Sequence, residues 1–184
     1  MRTAIFITED YLKENSVING NVDFKYILAN LKTVEDMYIQ TIIGTNLYRE
    51  LNSQITNGTV TALNSTLIEE YIQPTMIYYL LAEMPYDMTY KWENKGIMKK
   101  SSENSAPIEL NEIEKLAAKK LQTARFYAQR LIDYLCANKE LYPAYFTTTG
   151  EIDEMKPVDS MYSYGGIYLG QQRKKTLQEK YNNP

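Results

Sequence analysis

Apolar positions recur at three- and four-residue intervals along most of the chain, a period that predicts helices. Thr8 followed by Glu9 and Asp10 has the form of an N-cap with acids in the first turn, opening a short helix through about Glu14. The SVINGN loop then ends on Asn21, a second cap. From there Phe24, Ile27, Leu28, Leu31, Val34, Tyr38 and Ile42 make one stripe on a helix that Gly44 stops. Thr45 is placed to cap the next helix, whose buried face is Leu47, Leu51 and Ile55 and whose end is Asn57-Gly58. Thr66 and Glu69 have capping-box spacing ahead of LIEEYIQPTMIYYLLAEM, the expected central helix, kinked at Pro74 or beginning nearer to it.

From Pro85 through YDMTYKWENKGIMKKSSENSAP the period is lost, which predicts a long connection with a turn at Gly96. Loops of that length inside compact domains are as a rule functional or disordered. The longest helix is expected from about Asn111 to Ala137. On it Ile113, Ala117, Lys120 or Leu121, Ala124, Ala128, Leu131 and Leu135 alternate steps of four and three, a heptad-like seam with small residues in its middle. Small residues admit a close neighbour, and the apolar helix before Pro85 is the expected one. An intermolecular coiled coil is the alternative, for which about three to four heptads is short.

Beyond Pro143 the character changes, with half of the eight glycines falling between Gly150 and Gly170. Tyr162, Tyr164 and Tyr168 surround Gly165-Gly166, and the polar QQRKKTLQEKY after them has the makings of a last short helix. The expected fold is therefore all-α. It is a helical bundle of about four to five helices with a long inter-helix loop (residues 1–146) and an extended C-terminal arm (147–184), within one domain unit. An aromatic arm without aliphatic residues for its own core needs a surface, either its own domain or a neighbouring subunit.

Composition narrows the function. A chain of 184 residues supports one core, and 44% apolar with 23% charged residues is ordinary for a folded protein. No apolar run nears the roughly 20 residues of a membrane span, and MRTAIFITEDYLKEN turns acidic where a signal peptide stays apolar. Cys136 is the sole cysteine, so neither an intrachain disulfide nor a cysteine-based zinc site is expected. Histidine is absent, which excludes Ser-His and Cys-His nucleophile pairs and the commonest metal ligand. The net charge of −3 offers no concentrated basic face for nucleic acid. Seventeen tyrosines stand against four phenylalanines. Tyrosine buries a ring and keeps a polar tip, which suits contact surfaces; an AT-rich genome that raises Tyr, Asn, Ile and Lys together accounts for the excess equally well.

Catalytic motifs are mostly missing. Magnesium-dependent all-α nucleotide pyrophosphatases use carboxylates at ExxE spacing, and Glu109 with Glu112 and Glu151 with Glu154 have it. Chance ExxE pairs are common at this charge density, and both read as solvated. No GxxxxGK[ST], GxGxxG or GxSxG occurs. Lys99-Lys100 and Lys119-Lys120 read as surface, whereas Arg173, Lys174 and Lys175 can pair with an acidic partner. No catalytic, cofactor or metal residue is assigned. The candidate contact residues are Trp92, Asn94, Lys95, Gly96 and Ile97 in the connection, and Tyr162, Tyr164, Tyr168, Arg173, Lys174 and Lys175 in the arm.

Four stretches, read in order, carry a resemblance: ITEDYLKE at the N-terminus; Ile43-Gly44 followed by Leu47, Tyr48 and Leu51; YIQPTMIYYLLAEMPYDMTYKWENKGI; and NKELYPAYF closing the long helix. Together they resemble the head-tail connector (adaptor, or head-completion) family of tailed bacteriophages, in its crAss-like phage version. The resemblance implies a virion structural protein assembled in the host bacterial cytoplasm, without enzymatic activity. It implies a closed ring of about twelve subunits joined head to tail, one face on the portal and the other on the next tail or ring component. DNA passes through the channel during ejection without specific binding, which a mildly acidic wall favours. Two other classes stay open: a small helical protein-binding regulator, of the anti-defence kind among others, that forms no ring, and a metal-dependent nucleotide hydrolase using Glu109 and Glu112.

Overall fold

A computed structural model describes residues 6–18, 21–94, 96–99 and 109–157, with the side chains of residues 91–93 also outside the description. Helix α1 (Glu9–Asn15) opens on Thr8, whose hydroxyl accepts from the Tyr11 N–H at 3.3 Å, as its sequence predicts. Helix α2 (Phe24–Val34) is capped by Asp23, which accepts from the Lys25 N–H at 2.9 Å. The expected Asn21 cap is thus displaced by two residues, because an aspartate adjacent to the first turn is the stronger acceptor. Ile27, Leu31 and Val34 are fully buried, and the stripe continues through a wide π-helical turn (Glu35–Ile39) into α3 (Gln40–Asn57).

Gly44 interrupts α3 with φ 77° and ψ 159°, a backbone region open essentially to glycine alone. The expected stop is therefore a sharp break between two helical pieces. Leu47 and Leu51 behind it are buried, and Gly58 ends the helix at φ 66°.

Helix α4 (Ala62–Leu67) begins on Thr61, which accepts from the Asn64 N–H at 3.2 Å. This corrects the capping box at Thr66 and Glu69. Thr66 lies inside the helix and donates back to the Ala62 carbonyl, and Glu69 accepts from Ser65. A second π-helical turn (Ile68–Ile72) precedes α5 (Gln73–Thr89), with the Gln73 N–H reaching back five residues to Ile68. The wide turn places Pro74 in the first turn of α5, where its missing N–H is no loss. Pro85 does not end the helix, contrary to expectation. Met84 is buried and Met88 packs against the core four residues on, so burial of the stripe carries α5 past a proline that costs about 3 kcal/mol.

The expected loop is also corrected. Its first part is helix and its next part an antiparallel hairpin of β1 (Tyr90–Glu93) and β2 (Gly96–Lys99), pairing Trp92 with Ile97 and Glu93 with Gly96. Helix α6 (Leu110–Ala137) and the single turn α7 (Pro143–Phe146) complete an all-α bundle whose central pair is α5 and α6. The predicted seam is buried at Ile113, Ala117, Ala124, Ala128, Leu131 and Leu135, while Lys120 and Leu121 are half-buried. Among the described residues no helix is long and apolar enough to cross a membrane.

The first part of the predicted arm lies on its own domain. Residues 147–157 form a strap along α3. The Thr45 N–H donates to the Met155 carbonyl at 3.0 Å, and the Met155 N–H donates to the Thr45 hydroxyl at 2.9 Å. Thr45, expected as a helix cap, has its oxygen occupied by the strap. Asn46 donates to the Thr147 carbonyl and to Glu154, and Arg49 donates to Glu151. Pro157 closes over Gly44, where a Cβ would stand 2.9 Å from its Cδ. Residues 158–184, with Tyr162, Tyr164, Tyr168, Arg173, Lys174 and Lys175, lie outside the described residues, as does Lys95.

Candidate functional site

Helices α5 and α6 run antiparallel, and tyrosines seal the half of their contact nearer the start of α5. Tyr71 stacks on Tyr134 with ring centres 4.0 Å apart, and Tyr78 on Tyr127 at 5.0 Å. The Arg130 guanidinium sits 4.7 Å from the Tyr71 ring centre, and the Lys120 ammonium 6.0 Å from that of Tyr78. The Tyr142 hydroxyl lies 3.2 Å from that of Tyr134 and donates to the Leu63 carbonyl. Burial, with the Tyr134 hydroxyl second, pushes the Tyr142 phenol well above its ordinary range. Many of the tyrosines thus act as mortar between helices.

Seven residues separate the two stacks on each helix, two full turns, so the same faces stay in contact. One turn further along α5 the contact opens. Ala82 and Tyr86 on α5 and Ala117, Ala118 and Leu121 on α6 line a gap in it. The cleft has a volume of about 280 Å³, and Tyr86 in its wall is half-exposed. Glu83 and Glu114 also line it. Glu83 is held from behind by the Tyr38 hydroxyl, which donates to it at 2.5 Å while the Tyr38 ring stacks on Tyr79. Burial first, then the Glu83 hydrogen bond and charge, push Tyr38 up to about 12.

The hairpin leaves the same end of the bundle. Every residue of β2 is exposed, Ile97 at 59% and Met98 at 54% among them. Leu110, seventeen residues before Tyr127, is level with the position seventeen residues after Tyr78, which is past the end of α5 at Thr89. The first turn of α6 therefore overhangs with Leu110 about half exposed, and Leu116, level with the end of α5, is about half exposed too. This end carries open apolar surface in three adjoining places: cleft, hairpin and overhang. A two-stranded hairpin is marginal in water without a covering layer.

Of the candidate contact residues, Asn94 is exposed in the turn, Gly96 takes φ 127° at its end and Ile97 is exposed in β2; the Trp92 backbone pairs with Ile97. The cleft was missed. Its signal was the run of alanines at 117 and 118 in the seam, which marks close packing or a gap according to what stands opposite.

The acidic pairs have structural partners. Glu112 accepts from the Glu109 N–H at 3.2 Å as a reciprocal cap of α6. Glu154 accepts from the Thr149 and Gly150 N–H groups and from Asn46, and these donors, Thr149 first, hold its carboxyl below the usual range. Glu151 takes the Arg49 guanidinium, whose pKa it raises.

The sequence profile of DUF6712, a family of unknown function, matches residues 39–153, a span that holds the cleft, the hairpin and most of the strap. No curated protein matches the chain, and no solved structure does.

Proposed function

We propose that this chain, which belongs to the family of unknown function DUF6712, is a structural assembly subunit: a head-tail connector of a tailed-phage virion. The observation that supports this most is the asymmetry of the bundle. One half of the α5–α6 seam is closed by stacked tyrosines, while the other ends in an alanine-lined cleft, an exposed hairpin and an overhanging helix start. Open apolar surface gathered at one end is the property of a protein completed by another chain. In a ring each copy offers that end to its neighbour's different face, the head-to-tail contact that closes about a single axis. The resemblance of the four stretches described above supplies the identity of the assembly: about twelve copies beneath a portal, around a DNA channel.

The role is mechanical, without catalysis. The carboxylates at ExxE spacing serve as a helix cap and as a strap anchor, and the chain has no histidine to act as base.

Sedimentation of the full chain with the portal protein of the same virus tests the reading. The wild type is expected to co-sediment as a large ring assembly. The double variant I97D/M98D is expected to stay slow-sedimenting with an unchanged melting temperature, since both side chains are already in water. A wild-type chain that remains single at all concentrations favours the regulator reading instead.

A further inference from the structure

We infer that the cleft between α5 and α6 is the seat of residues 161–169 from an adjoining copy, with the basic triplet that follows reaching its carboxylates. This rests on the ring reading above and names the contact that joins neighbours.

The size of the cleft limits its occupant. At about 280 Å³ and open on one side, it stands at the small end of the roughly 300–1,000 Å³ range of binding pockets. It has room for one or two large side chains. Ala82, Ala117, Ala118 and Leu121 give it an apolar lining, and Glu83 and Glu114 are its charged residues. A tyrosine suits such a shape: the ring covers the alanines and the hydroxyl remains at the edge, where Glu114 accepts.

Charge selects the segment. MYSYGGIYL, residues 161–169, has three tyrosines and no charged residue, so nothing in it opposes burial. Arg173, Lys174 and Lys175 begin four residues later. They complement the carboxylates of Glu83 and Glu114 in the cleft lining.

The exit point of the chain supplies the third constraint. The strap ends at Pro157 over Gly44. That region is tied to the first turn of α5, because Phe6 packs on Tyr48 and its carbonyl accepts from Gln73. The cleft begins nine residues beyond Gln73 and extends to Tyr86, about 14–20 Å along the helix. The segment therefore starts from a fixed point away from the cleft of its own copy. Residues 161 to 169 lie four to twelve residues beyond Pro157, a reach of up to about 40 Å when extended.

The test uses full-length chains with Tyr164 replaced by photoreactive p-benzoylphenylalanine. Light and ¹⁵N-labelled chains are mixed equally, assembled with portal, irradiated and digested. Capture of peptides containing Ala117 and Ala118 is expected, with about half of the linked pairs joining a light chain to a heavy one. Ala118→Leu, which fills the cleft, is expected to lower that capture at least tenfold while the melting curve stays in place. Should Ala118→Leu unfold the protein, Glu114→Lys serves in its stead, with a severalfold loss expected. Pairs of one isotope only, capture on portal or elsewhere, or no capture each overturn the inference. Rings without cleft capture defeat this inference and leave the ring reading standing; mixed-isotope cleft capture without rings does the reverse.

Discussion

The α5–α6 contact is two interfaces in succession. Near the start of α5, large aromatic side chains meet in register, Tyr71 on Tyr134 and Tyr78 on Tyr127, and each stack is flanked by a cation or a hydroxyl partner. Further along, Ala82 on α5 and Ala117 and Ala118 on α6 line a cleft. The same two helices produce a sealed core in one place and an open cleft in the other. Side-chain volume makes the difference, since a close-packed interior leaves few voids unless facing residues are too small to meet. A bundle that needed only to be stable would place a leucine at the second position, as it does at Leu131.

Shaving the sealed half is expected to have the largest effect. Leu131 is fully buried, and Leu131→Ala should cost about 2–5 kcal/mol in urea unfolding. The matching change in the open half, Leu121→Ala, should cost about 1 kcal/mol, since Leu121 keeps part of its surface in water. Equal losses would erase the distinction between the halves.

Next comes the strap. Gly44→Ala meets both a forbidden backbone region and Pro157, and should cost about 1–3 kcal/mol. Limited proteolysis should then cut within residues 147–157 while leaving α5 and α6 intact; cleavage spread evenly along the chain would contradict a locally held strap.

The smallest effect is alkaline. Tyr38 is raised from the ordinary phenol value to about 12, so folding favours its protonated form. The stability it contributes is complete below about pH 10 and is lost as pH rises through about 12. Tyr38→Phe should flatten the fall in stability above pH 10, read by urea midpoints from pH 8 to 11.5. A fall of unchanged steepness would assign the alkaline loss to other tyrosines.

Much of the body was legible in the residues. The stripe from Phe24 to Ile42, the stops at Gly44 and Gly58 and the seam of α6 follow from period and glycine chemistry, which are local. The errors lie where tertiary packing decides. Pro85 forbids a helix locally, yet Met84 and Met88 carry α5 through it. Thr66 with Glu69 has the letters of a capping box, but Thr61 comes earlier and takes the cap. The pairing of Thr45 with Met155 joins positions more than a hundred residues apart, beyond any local signal. The cleft was half legible: Ala117 was visible in the seam, but what stands across from it depends on the α5–α6 register.

Electron microscopy of the full chain assembled with its portal tests the central claim most directly, because it shows both the assembly and the seat. The account predicts a closed ring in which density from the neighbouring copy fills the cleft lined by Ala82, Ala117 and Ala118. Single particles, or a ring with that cleft empty and the hairpin bare, would contradict it.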